Sequence, residues 1–135
     1  MTDAERLVLN RQVAERVMGW DHTHDIHECE DPWYAYCRTC GLSGSDLGVR
    51  AWDATPCAMP PDYAGDIRAA WTVLAVMIAR LPTEVGLQTQ LEVSYQAHGQ
   101  VWYCHLPHGR GQLAETAPEA ICRAALAVVG VAVPA

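Results

Sequence analysis

The chain contains no lysine and no phenylalanine, and all nine of its cations are arginines. Against them stand 16 acidic residues, a formal charge of −7 with histidine neutral. That balance excludes broad nucleic-acid binding, which needs a basic face along the phosphate backbone. A local arginine pocket for a small anion remains compatible with it, as does an acidic surface for a basic protein patch. No apolar run reaches the ~18 residues that span a bilayer, so no membrane partner is expected. The opening Met1-Thr2-Asp3-Ala4-Glu5-Arg6 lacks the basic-then-apolar form of a secretory signal. The expected location is therefore cytoplasmic. No phosphate-binding G-x-x-x-x-G-K-[ST] loop, no G-x-S-x-G elbow and no strand-linked G-x-G-x-x-G occurs.

What is present suits one folded domain. The chain has 135 residues, half of them hydrophobic and 19% charged, with a mean hydropathy of −0.02. A disordered or collagen-like chain is excluded. Six cysteines (Cys29, Cys37, Cys40, Cys57, Cys104, Cys122) in a chain without a secretory signal argue against a disulfide framework. Cys37-Arg38-Thr39-Cys40-Gly41 reads as half of a zinc site. Cys104 and Cys122 fall in apolar patterns and are expected to fill core space. Cys57 has no activating motif beside it and reads as a free thiol.

Residues 3–18 read as a helix capped by Thr2 or Asp3, with Ala4, Leu7, Ala14, Val17 and Met18 on its apolar side and Gly19 as its stop. The stretch 42–61 reads as a loop with a short strand near Val49–Trp52. A second helix is predicted from about Ala64 to Arg80. Ile67, Trp71, Leu74, Ile78 and Leu81 form its apolar face, Asp62 caps it, Asp66 sits in its first turn and Pro82 stops it. Leu87 to Ala97 alternates with period two, and His98-Gly99 reads as a two-residue turn. The register follows: Tyr95 faces Trp102, Val93 faces Cys104 and Leu91 faces Leu106, with these residues inside. A last helix starts near Thr116, whose Thr116-Ala117-Pro118-Glu119 forms a capping box, and ends at Gly130. Three helices and an antiparallel sheet make a layered α+β domain, a helix–sheet–helix sandwich.

Three segments in order carry a resemblance: 14–20 (AERVMGW), 61–71 (PDYAGDIRAAW) and 117–126 (APEAICRAAL). Together they resemble the phage ABA sandwich domain family, found in bacteriophages and prophages. The resemblance implies a layered fold and a phage origin, with a single domain over 1–135. It also implies a cysteine–histidine cluster between the first two helices, here a hairpin insertion at about 20–41. It supplies no catalytic mechanism. Ala64 stands where relatives often have serine, which leaves Asp62 as the substitute cap.

The metal reading rests on the run 21–29 (DHTHDIHEC) followed by Cys37-x-x-Cys40-Gly41. Zinc takes four nitrogen or sulfur ligands in a tetrahedron. Folding around Glu30-Asp31-Pro32 sets Cys29 opposite Trp33 and His27 opposite Ala35, and brings His22 and His24 to the Cys37–Cys40 turn. His22, His24, Cys37 and Cys40 are thus the expected ligands of a structural zinc ion, with His27 and Cys29 in reserve. A bulge or a different turn would reverse that order. A catalytic zinc would keep one position for water.

Outside that cluster, Arg110 between glycines and His108 form a candidate phosphate-holding loop, set against a plain connection to the last helix. Trp33 and Trp52 are candidates for stacking on a ligand or partner, although Trp33 with Tyr34 and Tyr36 reads first as cover for the zinc hairpin. The expected function is therefore binding rather than catalysis. The expected partner is a host protein or a small phosphate-bearing ligand, met in the host cytoplasm, in a phage accessory protein that counters host defence by capping a host protein or sequestering a nucleotide signal. Zinc-dependent hydrolysis through the histidine–acid cluster and a virion or assembly role are the alternatives, and a homo-oligomer is compatible with all of these.

Overall fold

The computed structural model describes residues 1–27, 30, 32–44, 56–80 and 90–131. Cys29, Trp52, the strand near 49–52, the helix stop at Pro82 and the early hairpin residues Leu87 and Thr89 lie outside them. The chain divides into two compact units: unit 1 is Met1–Gly19 with Asp62–Ala135, and unit 2 is Trp20–Pro61.

In unit 1, helix α1 spans Asp3–Arg16. Thr2 caps it: its Oγ1 accepts the Glu5 N–H at 3.2 Å, and its own N–H donates to Glu5 Oε2 at 2.9 Å. The buried residues are Leu9, Asn10, Val13, Ala14 and Val17. Ala14 and Val17 are buried as expected, but the rest of the expected face is corrected, since Ala4 is exposed and Leu7 and Met18 are only half-buried. The apolar pattern misleads because the chain's single asparagine, Asn10, belongs to the buried stripe. Its Nδ2 donates to Asp62 Oδ1 at 2.8 Å, and its Oδ1 accepts the Ala64 N–H at 2.7 Å. Burial of the carboxamide is offset by those two bonds.

Helix α2 spans Ile67–Ala79 and is capped by Asp66, whose side chain accepts the Arg68 N–H. Asp62 is committed to Asn10, so the cap falls four residues later than expected. The buried face is Ala70, Val73, Leu74 and Met77. Of the expected face Leu74 is buried, but Ile67, Trp71 and Ile78 are 42%, 53% and 48% exposed, another correction. The cause is the neighbour. Helix α2 packs on helix α3 (Ala117–Val128), whose buried side carries Ala120, Ala124 and Ala125. Two helices that approach closely select small residues at the contact over the larger side chains of the alternative stripe.

Strands β3 (Glu92–Gln96), β4 (Val101–His105) and β5 (Gln112–Ala114) form an antiparallel sheet in that order. Strands β1 (Ile26–His27) and β2 (Tyr36–Cys37) belong to unit 2. Val93 pairs with Cys104 and Tyr95 with Trp102, the register that the alternation predicts. The connection is a four-residue turn, Ala97–Gln100, in which Gln100 rather than Gly99 takes the left-handed conformation at φ 53°. Strand β5 falls where a loop was expected; three residues are too few to show a period. Helix α3 crosses the sheet and also packs on α1. Cys104, Leu106, Ala114, Ile121, Cys122 and Leu126 are buried, each large side chain contributing about 1.5–3 kcal/mol. Tyr95 is exposed and tilted against Trp102 at 5.5 Å, not inside as expected.

Thr116 caps α3 by accepting the Glu119 N–H at 3.4 Å. The Glu119 carboxylate is turned to Arg123, at 2.9 Å in a largely buried pair, so the capping box is formed in one direction. Gly130 closes the helix at φ +79°.

Unit 2 holds strands β1 (Ile26–His27) and β2 (Tyr36–Cys37), joined through a 3-10 turn at Pro32–Tyr34. Ile26 pairs with Cys37 and His27 with Tyr36. The expected register is off by one residue, because the 3-10 turn takes up the odd residue in the connection. A slip of one exchanges the faces of a strand, so it changes which side chains meet Cys37. Three helices and two small antiparallel sheets among the described residues make the chain α+β, as the sequence indicates. No described helix is long and apolar enough to cross a membrane.

Candidate metal centre

The turn after β2 builds half of the centre. The Gly41 N–H donates to Cys37 O at 2.9 Å, and the Cys37 N–H to Leu42 O at 2.8 Å. Gly41 sits at φ +76°, where a side chain would be strained. This places Cys37 and Cys40 on one tight turn.

The segment before β1 supplies the rest through two backbone anchors. Asp25 O accepts the Arg38 N–H at 2.8 Å, and His22 O accepts the Cys57 N–H at 2.8 Å. His24 lies between those anchors. The second one brings in Cys57, from 35 residues further along the chain. As a result His24, Cys37, Cys40 and Cys57 offer ligand atoms that all lie within 4.8 Å of one another.

Cys37 Sγ is 3.8 Å from Cys57 Sγ, and Cys40 Sγ is 3.5 Å from His24 Nδ1. A tetrahedron with Zn–S near 2.3 Å and Zn–N near 2.05 Å has S···S edges of about 3.8 Å and S···N edges of about 3.5 Å. Both edges are therefore already in place. Thr39 Oγ1 stands 3.1 Å from Cys37 Sγ and 3.3 Å from Cys57 Sγ, and Cys57 Sγ lies 3.3 Å from Met59 O. His24, Cys37 and Cys57 are buried, and Cys40 is half-buried.

Electrostatics separates the thiols. Burial works against the Cys37 thiolate. The Cys40 N–H, the Thr39 hydroxyl and N–H, and His24 outweigh it and hold Cys37 well below the usual thiol range. Burial pushes Cys40 up, and the neighbouring Cys37 and Cys57 add to the rise against the Leu42 N–H. Crowded thiols cannot all ionise without a cation between them, and a divalent metal reverses that preference.

Three of the four residues singled out in the sequence, His24, Cys37 and Cys40, converge, and Cys57 joins them. His22 is outside the group; its Nδ1 lies 3.1 Å from Cys57 O, beside a ligand residue. His27 is turned away, against Tyr36 at 5.0 Å and 3.0 Å from an Arg38 nitrogen. Cys57 lies outside the hairpin, beyond the reach of ligand spacing within it. The available signal was a cysteine flanked by Pro56 and Pro60 in a segment with no core pattern.

The other candidates are spread out. His108 and Arg110 are exposed in the β4–β5 connection of unit 1, and Trp33 is exposed in unit 2. His108 borders a depression of about 430 Å³ with Tyr103, His105 and Glu92. The glycines around Arg110 have a packing role: a Cβ at Gly109 would lie 2.7 Å from Val128, and one at Gly111 would strike the Tyr103 ring.

The phage ABA sandwich domain matches residues 11–126. A crystal structure of a phage protein from Bacillus cereus is similar, with a TM-score of 0.51 at 22% identity, over 93% of this chain and 88% of that one. At that identity the likeness concerns the fold alone. No curated protein matches the chain.

Proposed function

The chain belongs to the phage ABA sandwich domain family, and from that premise we propose a phage accessory protein that acts by binding, with a structural zinc ion held by His24, Cys37, Cys40 and Cys57. The observation that carries the zinc assignment is the pair of ligand–ligand distances, 3.8 Å and 3.5 Å, which match a tetrahedral zinc site. Four protein donors close the coordination sphere and leave no position for water, which favours a structural ion over the hydrolase reading.

The ion staples a ribbon that shows Trp33, Tyr34 and Tyr36 to solvent. Exposed aromatics on a rigid support are the side chains that dominate protein interfaces. The partner in this reading is a host protein, capped by the ribbon face in the host cytoplasm, with host defence as the setting. Sequestration of a phosphate-bearing signal by Arg110 and His108 has less support, because packing accounts for their glycines.

The test is native mass spectrometry of protein purified from host cells. One zinc per chain is expected, and none in Cys57→Ser. A host protein should co-purify with the wild type and be lost in a Trp33→Ala, Tyr34→Ala double variant that keeps its zinc. Absence of zinc from the wild type overturns the metal assignment. Equal capture by the double variant overturns the ribbon face.

A further inference from the structure

Unit 1 carries a second surface, independent of the metal centre. Between α1 and α3 lies a groove of about 300 Å³ lined mainly by apolar atoms, with Ala4, Val8, Leu9 and Gln12 on the α1 side and Arg123 on the other. It shares Met1, Glu5 and Arg123 with a depression of about 380 Å³ along Gln112, Leu113 and Ala114 of β5. Three large apolar side chains that the fold leaves in solvent, Met1 (40% exposed), Val8 (55%) and Leu113 (60%), line these two hollows. A cluster of that kind marks an interaction site more often than scattered single residues do.

Two further observations say what would fit. β5 is the outer strand of the sheet, so among the described residues one of its backbone edges has no strand beside it. Gln12 Oε1 is buried with no hydrogen-bond partner, an acceptor that calls for an N–H donor. The charge is also one-sided. Arg123 is matched by Glu119 at 2.9 Å, and the rim carboxylates are Glu5 and Glu115. Glu115 is 82% exposed and faces the Met1 amine only at 4.0 Å.

We infer that this surface takes an extended segment of a partner protein, added as a fourth strand along β5. Aliphatic side chains of the segment enter the α1–α3 groove, and arginine or lysine lies beside Glu5 and Glu115. Strand addition supplies main-chain hydrogen bonds, and alternate side chains supply specificity. The −7 charge of the chain favours a basic segment.

The probes are fluorescein-labelled octapeptides of alternating leucine and arginine, read by fluorescence polarisation. Two further versions are N-methylated at every second residue, in opposite phases, and a last one carries glutamate for arginine. In an added strand only alternate amides face β5. One methylated phase should therefore bind like the parent, and the other, with the glutamate peptide, about tenfold or more weaker. Leu113→Asp and Val8→Asp, both at exposed positions, should each weaken the parent peptide about tenfold, and hydrogen exchange at Gln112–Ala114 should slow on binding. The inference is overturned by equal binding of both methylated phases, by indifference to both substitutions, or by no binding of the parent at about 100 μM. It is also overturned if β5 becomes protected by concentration-dependent dimerisation, which would make a second copy the occupant.

Discussion

Unit 1 hides Val13, Val73, Ile121 and Leu126 from solvent beneath three helices and a sheet, whereas, proline aside, the buried hydrophobic side chains of unit 2 among the described residues are only Ala35, Cys37 and Cys57. Two of those three are thiols of the metal cluster. A segment as short as residues 20–61 has too little apolar area to offset its conformational entropy and calls for a staple. With the proposed zinc bound, one unit is held by burial and the other by coordination, and the two should fail under different insults.

The largest expected effect is metal removal. Chelation, or Cys57→Ser, should release zinc and raise amide exchange at residues 22–27, 33–44 and 57 toward unfolded rates, since a structural zinc contributes on the order of 10 kcal/mol. Helices α1 to α3 should persist by circular dichroism. His22→Ala should keep its zinc, and loss of zinc from that variant would restore the ligand set read from the sequence. Next in size is Leu126→Ala, which should destabilise unit 1 by about 2–5 kcal/mol in denaturant unfolding and leave zinc stoichiometry unchanged. A drop in zinc content would show that the two units are coupled by more than the tether that joins them.

The smallest effect is set by pH and differs in direction between the units. Burial raises the Cys104 thiol from 9.0 to about 12, and burial raises Cys122 as well. A folded-state pKa above the unfolded one gives stability that is present below pH 9 and is lost as pH rises toward 12. Unit 1 should lose on the order of 2 kcal/mol by about pH 10.5 through Cys104, and Cys104→Ala should flatten that slope. Zinc retention in unit 2 should instead weaken as pH falls, because protons compete for three thiolates and an imidazole.

This contrast also explains what the sequence made legible. Helix α3, the β3–β4 register and the caps at Thr2 and Thr116 follow from local rules of period and capping, and they stand in the structure. The buried face of α2 did not, because Trp71 outweighs Ala70 on any hydrophobic scale while close helix packing selects the alanine. Half of the metal centre was legible in Cys37-x-x-Cys40 and His24, where spacing and a short turn suffice. Cys57 was not, since its position depends on the pairing of its N–H with His22, a contact between distant residues that no local pattern records. The ribbon register failed for a similar reason: a 3-10 turn inside a connection shifts pairing by one without a sequence period to reveal it.

The bond from the Cys57 N–H to His22 O also matters for chain connectivity. It ties together the two ends of an insertion that interrupts unit 1 between α1 and α2. With that tie made, the chain leaves and re-enters unit 1 through a short tether rather than an excursion of some 40 residues, which lowers the entropic cost of closing it by about 1.5 kcal/mol. An ion held by residues of the insertion would thus still raise the melting temperature of the helical unit, by shortening the tether.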